Sequence, residues 1–106
     1  IIPEVIVDQH FHNRNRMARL MSAIAGHPDR YGIGIDEDTC ALFEGDDTLQ
    51  VLGRGAVTII DPSEMTYTNQ AEVGNTDPLC ISNLRVHVLS AGCRFDLRQR
   101  AMLRRK

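Results

Sequence analysis

The chain has 106 residues, with 12 Lys and Arg against 14 Asp and Glu, a net charge of −2 and 42% hydrophobic residues. That suffices for one small domain with a limited core. It excludes a membrane helix, because no apolar run approaches the roughly 20 residues that cross a bilayer, and 5% aromatic residues are too few for a basic and aromatic nucleic-acid platform.

The chain opens on Ile1 and enters directly on an apolar strand, so it is expected to be part of a longer protein. Pro3 precedes Val5-Ile6-Val7, a continuous apolar run that suits a buried strand. Asn13 can cap a following helix. There Met17, Leu20, Met21 and Ile24 fall on one apolar face. Gly26 and Pro28 end that helix, and residues 31–35 form a second strand. Strand, helix and strand in this order predict a parallel βαβ unit.

Beyond Asp38 the pattern turns to short strands. Residues 39–43 and 49–52 are expected to pair across the turn-rich link 44–47, and residues 56–60 form another strand. Residues 61–80 are polar, with turn signals at Gly74-Asn75 and Asp77-Pro78. Leu84, Val86 and Val88 alternate with Arg85 and His87, which predicts a half-buried strand. Gly92 turns it into a short strand at 94–97. Residues 98–106 hold five of the twelve basic residues and no acid, leaving seven basic residues against fourteen acidic ones elsewhere. Such a tail is expected to be solvated and frayed.

Cys40, Cys80 and Cys93 form no CxxC pair. They are expected to be small buried residues in a reducing compartment rather than metal ligands.

Ligands of open α/β sheets collect at the carboxyl ends of strands. Asp8, Gln9 and His10 stand at one such end, and Asp36 and Glu37 stand at the next. If the two strands are neighbours, one of these carboxylates can hold the imidazole in a single tautomer. The other ring nitrogen is then left to take a proton from a serine. Arg14 lies at the helix start, where a cation opposes the helix dipole unless an anion is near. Arg16 and Arg19 are one helical turn apart. A base beside fixed guanidinium groups suits hydrolysis of a carboxylate-bearing substrate. The plainer alternatives are a structural histidine, a solvated acidic turn and surface arginines.

Asp8-Gln9-His10-Phe11, followed by Arg14, Arg16, Arg19 and Leu20, resembles the signature of the cyanophycinases, serine peptidases related to peptidase E (aspartyl dipeptidase). Gly32-Ile33-Gly34-Ile35-Asp36-Glu37 resembles their second motif. Residues 57–61 and 84–89 also have the family's look, so the resemblance covers nearly the whole chain. It implies an α/β fold: the C-terminal part of a doubly wound, flavodoxin-like, class I glutamine-amidotransferase-like three-layer domain, with β-rich hairpins after the βαβ unit. Residues 1–106 would be the C-terminal portion of that single domain, without the portion bearing the nucleophile.

The activity so implied is release of β-Asp-Arg dipeptides from cyanophycin (multi-L-arginyl-poly-L-aspartate), or cleavage of a shorter β-aspartyl peptide. His10 would be the general base and Glu37 its orienting acid. Asp8, Gln9, Arg14, Arg16 and Arg19 would line the substrate pocket. The resemblance also implies a cytoplasmic homodimer, with a secreted form as the alternative. It calls for no cofactor, metal, nucleic acid or membrane. The family's serine sits on a Gly-x-Ser-x-Gly-like elbow. The nearest string, Ser90-Ala91-Gly92, reads as a turn, so this segment alone is expected to be inactive.

A rival reading takes Asp8, His10 and His12 as alternate strand residues binding a metal, as in amidohydrolases. A third is a non-catalytic binding domain.

Overall fold

A computed structural model describes residues 5–9, 14–27, 29–45, 47–69 and 80–103. Strand β1 (Val5–Gln9), helix α1 (Arg14–Ala25) and strand β2 (Tyr31–Ile35) follow the expected order. The two strands pair in parallel, with Val5 opposite Tyr31 and Gln9 opposite Ile35. Leu20 and Ile24 are buried under the helix and Met21 packs beside them. The helix stops where Gly26 turns the chain, its amide bonded to the Ser22 carbonyl. The expected cap at Asn13 and stop at Pro28 lie outside the described residues.

The next six stretches are β3 (Thr39–Glu44), β4 (Thr48–Gly53), β5 (Ala56–Asp61), β6 (Tyr67–Thr68), β7 (Ile81–Ser82) and β8 (Arg85–Ser90). The last two are β9 (Arg94–Asp96) and β10 (Ala101–Leu103). Strands β3 and β4 form the expected hairpin, turning at Gly45 with φ 63°. β6, inside the stretch 61–80 expected to be irregular, pairs with β7 in a two-residue ladder. One sheet runs β1-β2-β5-β8 and a second runs β10-β9-β4-β3. Apart from β1 with β2, every described pairing is antiparallel. The described residues are thus α/β with one helix and mainly antiparallel sheets.

The sheets share one core. Tyr31, Ile33, Val57, Ile59 and Leu89 of the first meet Leu49, Val51 and Phe95 of the second, with Leu97 beside them. The opposite face of the first sheet carries α1, where Leu20 and Ile24 meet Ile60. Fully burying an aliphatic side chain is worth about 1.5–3 kcal/mol, so these two clusters hold the layers together. The helix comes so close that a Cβ on Gly32 would lie 2.8 Å from Ile24 Cγ1.

Three expectations need correction. In β8, Val86 and Val88 are 43% and 66% exposed, whereas Leu89 is buried and His87 stacks 4.9 Å from the Phe95 ring. Directly opposed residues share a face. Ile59 opposite His87 and Val57 opposite Leu89 therefore fix the inward set. Val86 and Val88 stand on the α1 side, where one helix of about 10 Å width cannot cover four strands spaced about 4.8 Å apart. The cysteines are free, but Cys40 and Cys80 are exposed, and Cys93 is only half-buried at the edge of the inter-sheet core.

The described part of the basic tail is tied down rather than frayed. Arg100 Nη1 donates to Asp61 Oδ1 at 2.6 Å, and its guanidinium carbon lies 5.0 Å above the Tyr31 ring. Asp61 is completely buried, and a buried carboxylate without a cation would be costly. The Tyr31 hydroxyl in turn donates to the Leu97 carbonyl.

Burial pushes the Tyr31 phenol up to about 12, against the pull of the Arg100 guanidinium. The unfolded value is about 10, so the folded protein holds this proton longer than the unfolded chain. Its contribution is full below about pH 10 and is lost as pH rises through about 12. The loss expected is roughly 2–3 kcal/mol, read as the fall in urea-denaturation stability across that window. Tyr31→Phe should flatten the fall. An unchanged slope in the variant would place the alkaline instability elsewhere.

Candidate active site at the strand ends

The parallel register determines which chain ends meet. Asp8 lies opposite Gly34 and Gln9 opposite Ile35. The carboxyl end of β1 therefore stands one strand spacing, about 4.8 Å, from that of β2. The first continues to position 10 and the second into Asp36, Glu37 and Asp38. His10 and His12 lie outside the described residues, as do the side chains of Asp8, Gln9, Arg14 and Arg16. The backbone places Asp8 and Gln9 on the last two positions of β1 and Arg14 and Arg16 in the first turn of α1. Arg19 is exposed on that helix and has an interaction of its own.

The acidic turn is built in detail. Asp36 Oδ2 accepts from the Ala56 amide at 3.0 Å, and the Asp36 amide donates to the Ala56 carbonyl at 3.1 Å. Asp38 turns the chain with φ 56°, and its carbonyl accepts from the Arg54 amide at 3.0 Å. The Gly55 amide donates to Thr39 Oγ1 at 2.9 Å, and that hydroxyl donates to the Glu37 carbonyl at 3.0 Å. Residues 36–39 are thus bound to residues 54–56 along both chains.

Glu37 is exposed and also engaged in an interaction. Residues 35–41 line a cavity of about 370 Å³. Asp36 and Glu37, neighbours at the same strand end, therefore differ in space. One carboxylate is spent on a backbone amide, whereas the other stands at the exposed apex of the turn.

Ser90 is exposed at the end of β8, followed by Gly92 with φ 88°. Its Oγ lies 3.8 Å from Cys93 Sγ. This is the expected turn. Among the described residues, no three His, Cys, Asp or Glu side chains are grouped to hold a metal. The same residues include no helix long and apolar enough to cross a membrane.

The sequence reading missed Thr39 and the residues facing it. The available signal was Gly53-Arg54-Gly55 directly before a strand. Two glycines so placed mark a close backbone approach.

These residues form an α/β unit with an acidic turn at the carboxyl ends of a parallel pair, where open α/β sheets commonly bind their ligands. No family model matches the chain. Among curated proteins, it is 68% identical to cyanophycinases of Trichormus variabilis and of a Nostoc species over 103 residues, 97% of this chain and 35% of each relative. It is 64% identical to that of Synechococcus elongatus over 98 residues, 92% of this chain and 30% of the relative. For Geminocystis herdmanii the figure is 62% over 96 residues. Over nearly all its length the chain is homologous to the cyanophycinases, and it spans about a third of the length of the relatives it matches.

A substitution at Gly53 tests the bound turn. Its φ is 115°, and an added Cβ would lie 2.3 Å from the Asp38 carbonyl oxygen and 2.8 Å from Thr39 Cα. Gly53→Ala should lower denaturation stability by about 2 kcal/mol or more, since backbone cannot yield as a side chain can. A loss below about 0.5 kcal/mol would mean that the turn is loosely held.

Proposed function

We propose that this segment belongs to a serine-type exopeptidase that hydrolyses cyanophycin to β-Asp-Arg dipeptides. The named relatives support the substrate. The observation that carries the reading is the parallel pairing of Gln9 with Ile35, which sets the chain entering His10 beside the chain entering Glu37. In this reading the complete enzyme is the doubly wound, three-layer α/β domain, and residues 1–106 are its C-terminal portion. The rest of the chain supplies the nucleophilic serine, so the segment alone is inactive. The complete enzyme is a homodimer. Its compartment is cytoplasmic in this reading, with a secreted form as the alternative.

The chemistry then follows from the residue types. His10 takes the proton as the serine oxygen attacks the scissile carbonyl, and returns it to the leaving amine. Water repeats the cycle on the acyl-enzyme. Glu37 holds the imidazole in the required tautomer and stabilises the imidazolium. Asp36 cannot turn the same oxygen to the imidazole while it accepts from Ala56. Arg14, Arg16 and Arg19 offer planar forks to substrate carboxylates, and Asp8 and Gln9 bind the arginine side of the substrate.

In the complete enzyme, His10→Ala should lower kcat by about three orders of magnitude or more with the fold intact. Near-parental turnover would remove His10 from the mechanism. Arg14→Lys, Arg16→Lys and Arg19→Lys keep charge but lose the two-pronged contact. Each should lower kcat/KM on cyanophycin by roughly tenfold to a hundredfold, the scale of a charge-assisted hydrogen bond of about 1.5–3 kcal/mol. Three parental variants would make the helix a solvated face. Elemental analysis separates the metal alternative: a tightly held zinc lost on His10 or His12 substitution would favour it.

A further inference from the structure

We propose that Asp36 and Thr39 are positioning residues that hold Glu37 in register with the base, an inference that rests on the peptidase reading above. Glu37 is exposed at the apex of its turn, and an orienting acid must be held within about half an ångström of its working position. The flanks of the turn are bound to the facing chain. On one side Asp36 and Ala56 exchange two hydrogen bonds, one to the carboxylate at 3.0 Å and one between backbones at 3.1 Å. On the other, the Gly55 amide, the Thr39 hydroxyl and the Glu37 carbonyl form a continuous donor chain of 2.9 and 3.0 Å.

The bond to the Glu37 carbonyl is the link that matters, because it fixes the peptide carrying the acid itself. Donation into a hydroxyl that itself donates strengthens both bonds. The fit is too tight for a side chain at position 55. A Cβ there would lie 2.7 Å from Asp36 Cβ and 2.7 Å from Thr39 Oγ1. The glycine-flanked turn is therefore a backbone clasp, closed on the two side chains either side of Glu37. Asp36 contributes an acceptor oxygen rather than a catalytic charge.

That distinction gives the test: steady-state kinetics of the complete enzyme on cyanophycin, with circular dichroism and melting to confirm folding. Thr39→Val is isosteric and removes both links of the donor chain. Asp36→Ala removes the acceptor. Each should lower kcat by about tenfold to a hundredfold, the cost of misplacing a catalytic group by roughly an ångström, with KM held within about twofold. Thr39→Ser restores the hydroxyl and Asp36→Asn restores an acceptor, so both should recover kcat to within about threefold of the parent.

Parental kcat in folded Thr39→Val and Asp36→Ala overturns the proposal while leaving Glu37 as the acid, provided Glu37→Gln is damaging. Asp36→Asn as poor as Asp36→Ala also overturns it, since charge rather than hydrogen bonding would then matter. If Glu37→Gln is at the same time harmless, the assignment of the acid falls with it.

Discussion

The seat of α1 on Gly32 is the contact on which the strand-end geometry depends. A helix can rest on a strand this closely only where no Cβ intervenes, and Ile24 and Leu20 fill the space that a side chain at position 32 would take. The helix is the only covalent path from β1 to β2. Once it lies flat on β2, β1 comes alongside in parallel and the two carboxyl ends finish level. The juxtaposition of Gln9 with Ile35, just before the acidic turn, follows from this packing.

Burial on both faces then makes β2 rigid. Ile33 and Tyr31 enter the inter-sheet core while Gly32 faces the helix. Tyr31 also links this strand to the chain's end through Leu97 and Arg100. The pairing of Arg100 with buried Asp61 pins the second sheet to the end of β5. β5 begins at Ala56, inside the clasp, and ends at Asp61, inside the ion pair. One strand thus ties the proposed site to the interior.

Much of this was legible in the sequence. The apolar spacing of Leu20, Met21 and Ile24 gave the helix face, and the run from Tyr31 to Ile35 gave a strand with the observed bounds. Turn residues at 44–47 gave the hairpin, although its strands run a residue or two longer than expected. The faces of β8 were not legible. Alternation says that two faces differ, but the apolar residues of that strand lie on both, and only the pairing with β5 shows which set is buried. Nor could the basic composition of residues 98–103 show that Arg100 would find a buried carboxylate 39 residues away.

By itself the sequence determined the order of the elements, the parallel unit at the start and the candidate residues, since periodicity, turn chemistry and residue type act over a few positions. Residue type alone left both Asp36 and Glu37 as candidate acids, with only the family resemblance naming Glu37, because adjacent acids in one turn differ chiefly in what lies across from them. The tertiary structure separated them. The backbone of residues 54–56 returns to within hydrogen-bonding distance of Asp36 and Thr39, so one acid is tied to a backbone amide while the other stands exposed at the apex of the turn.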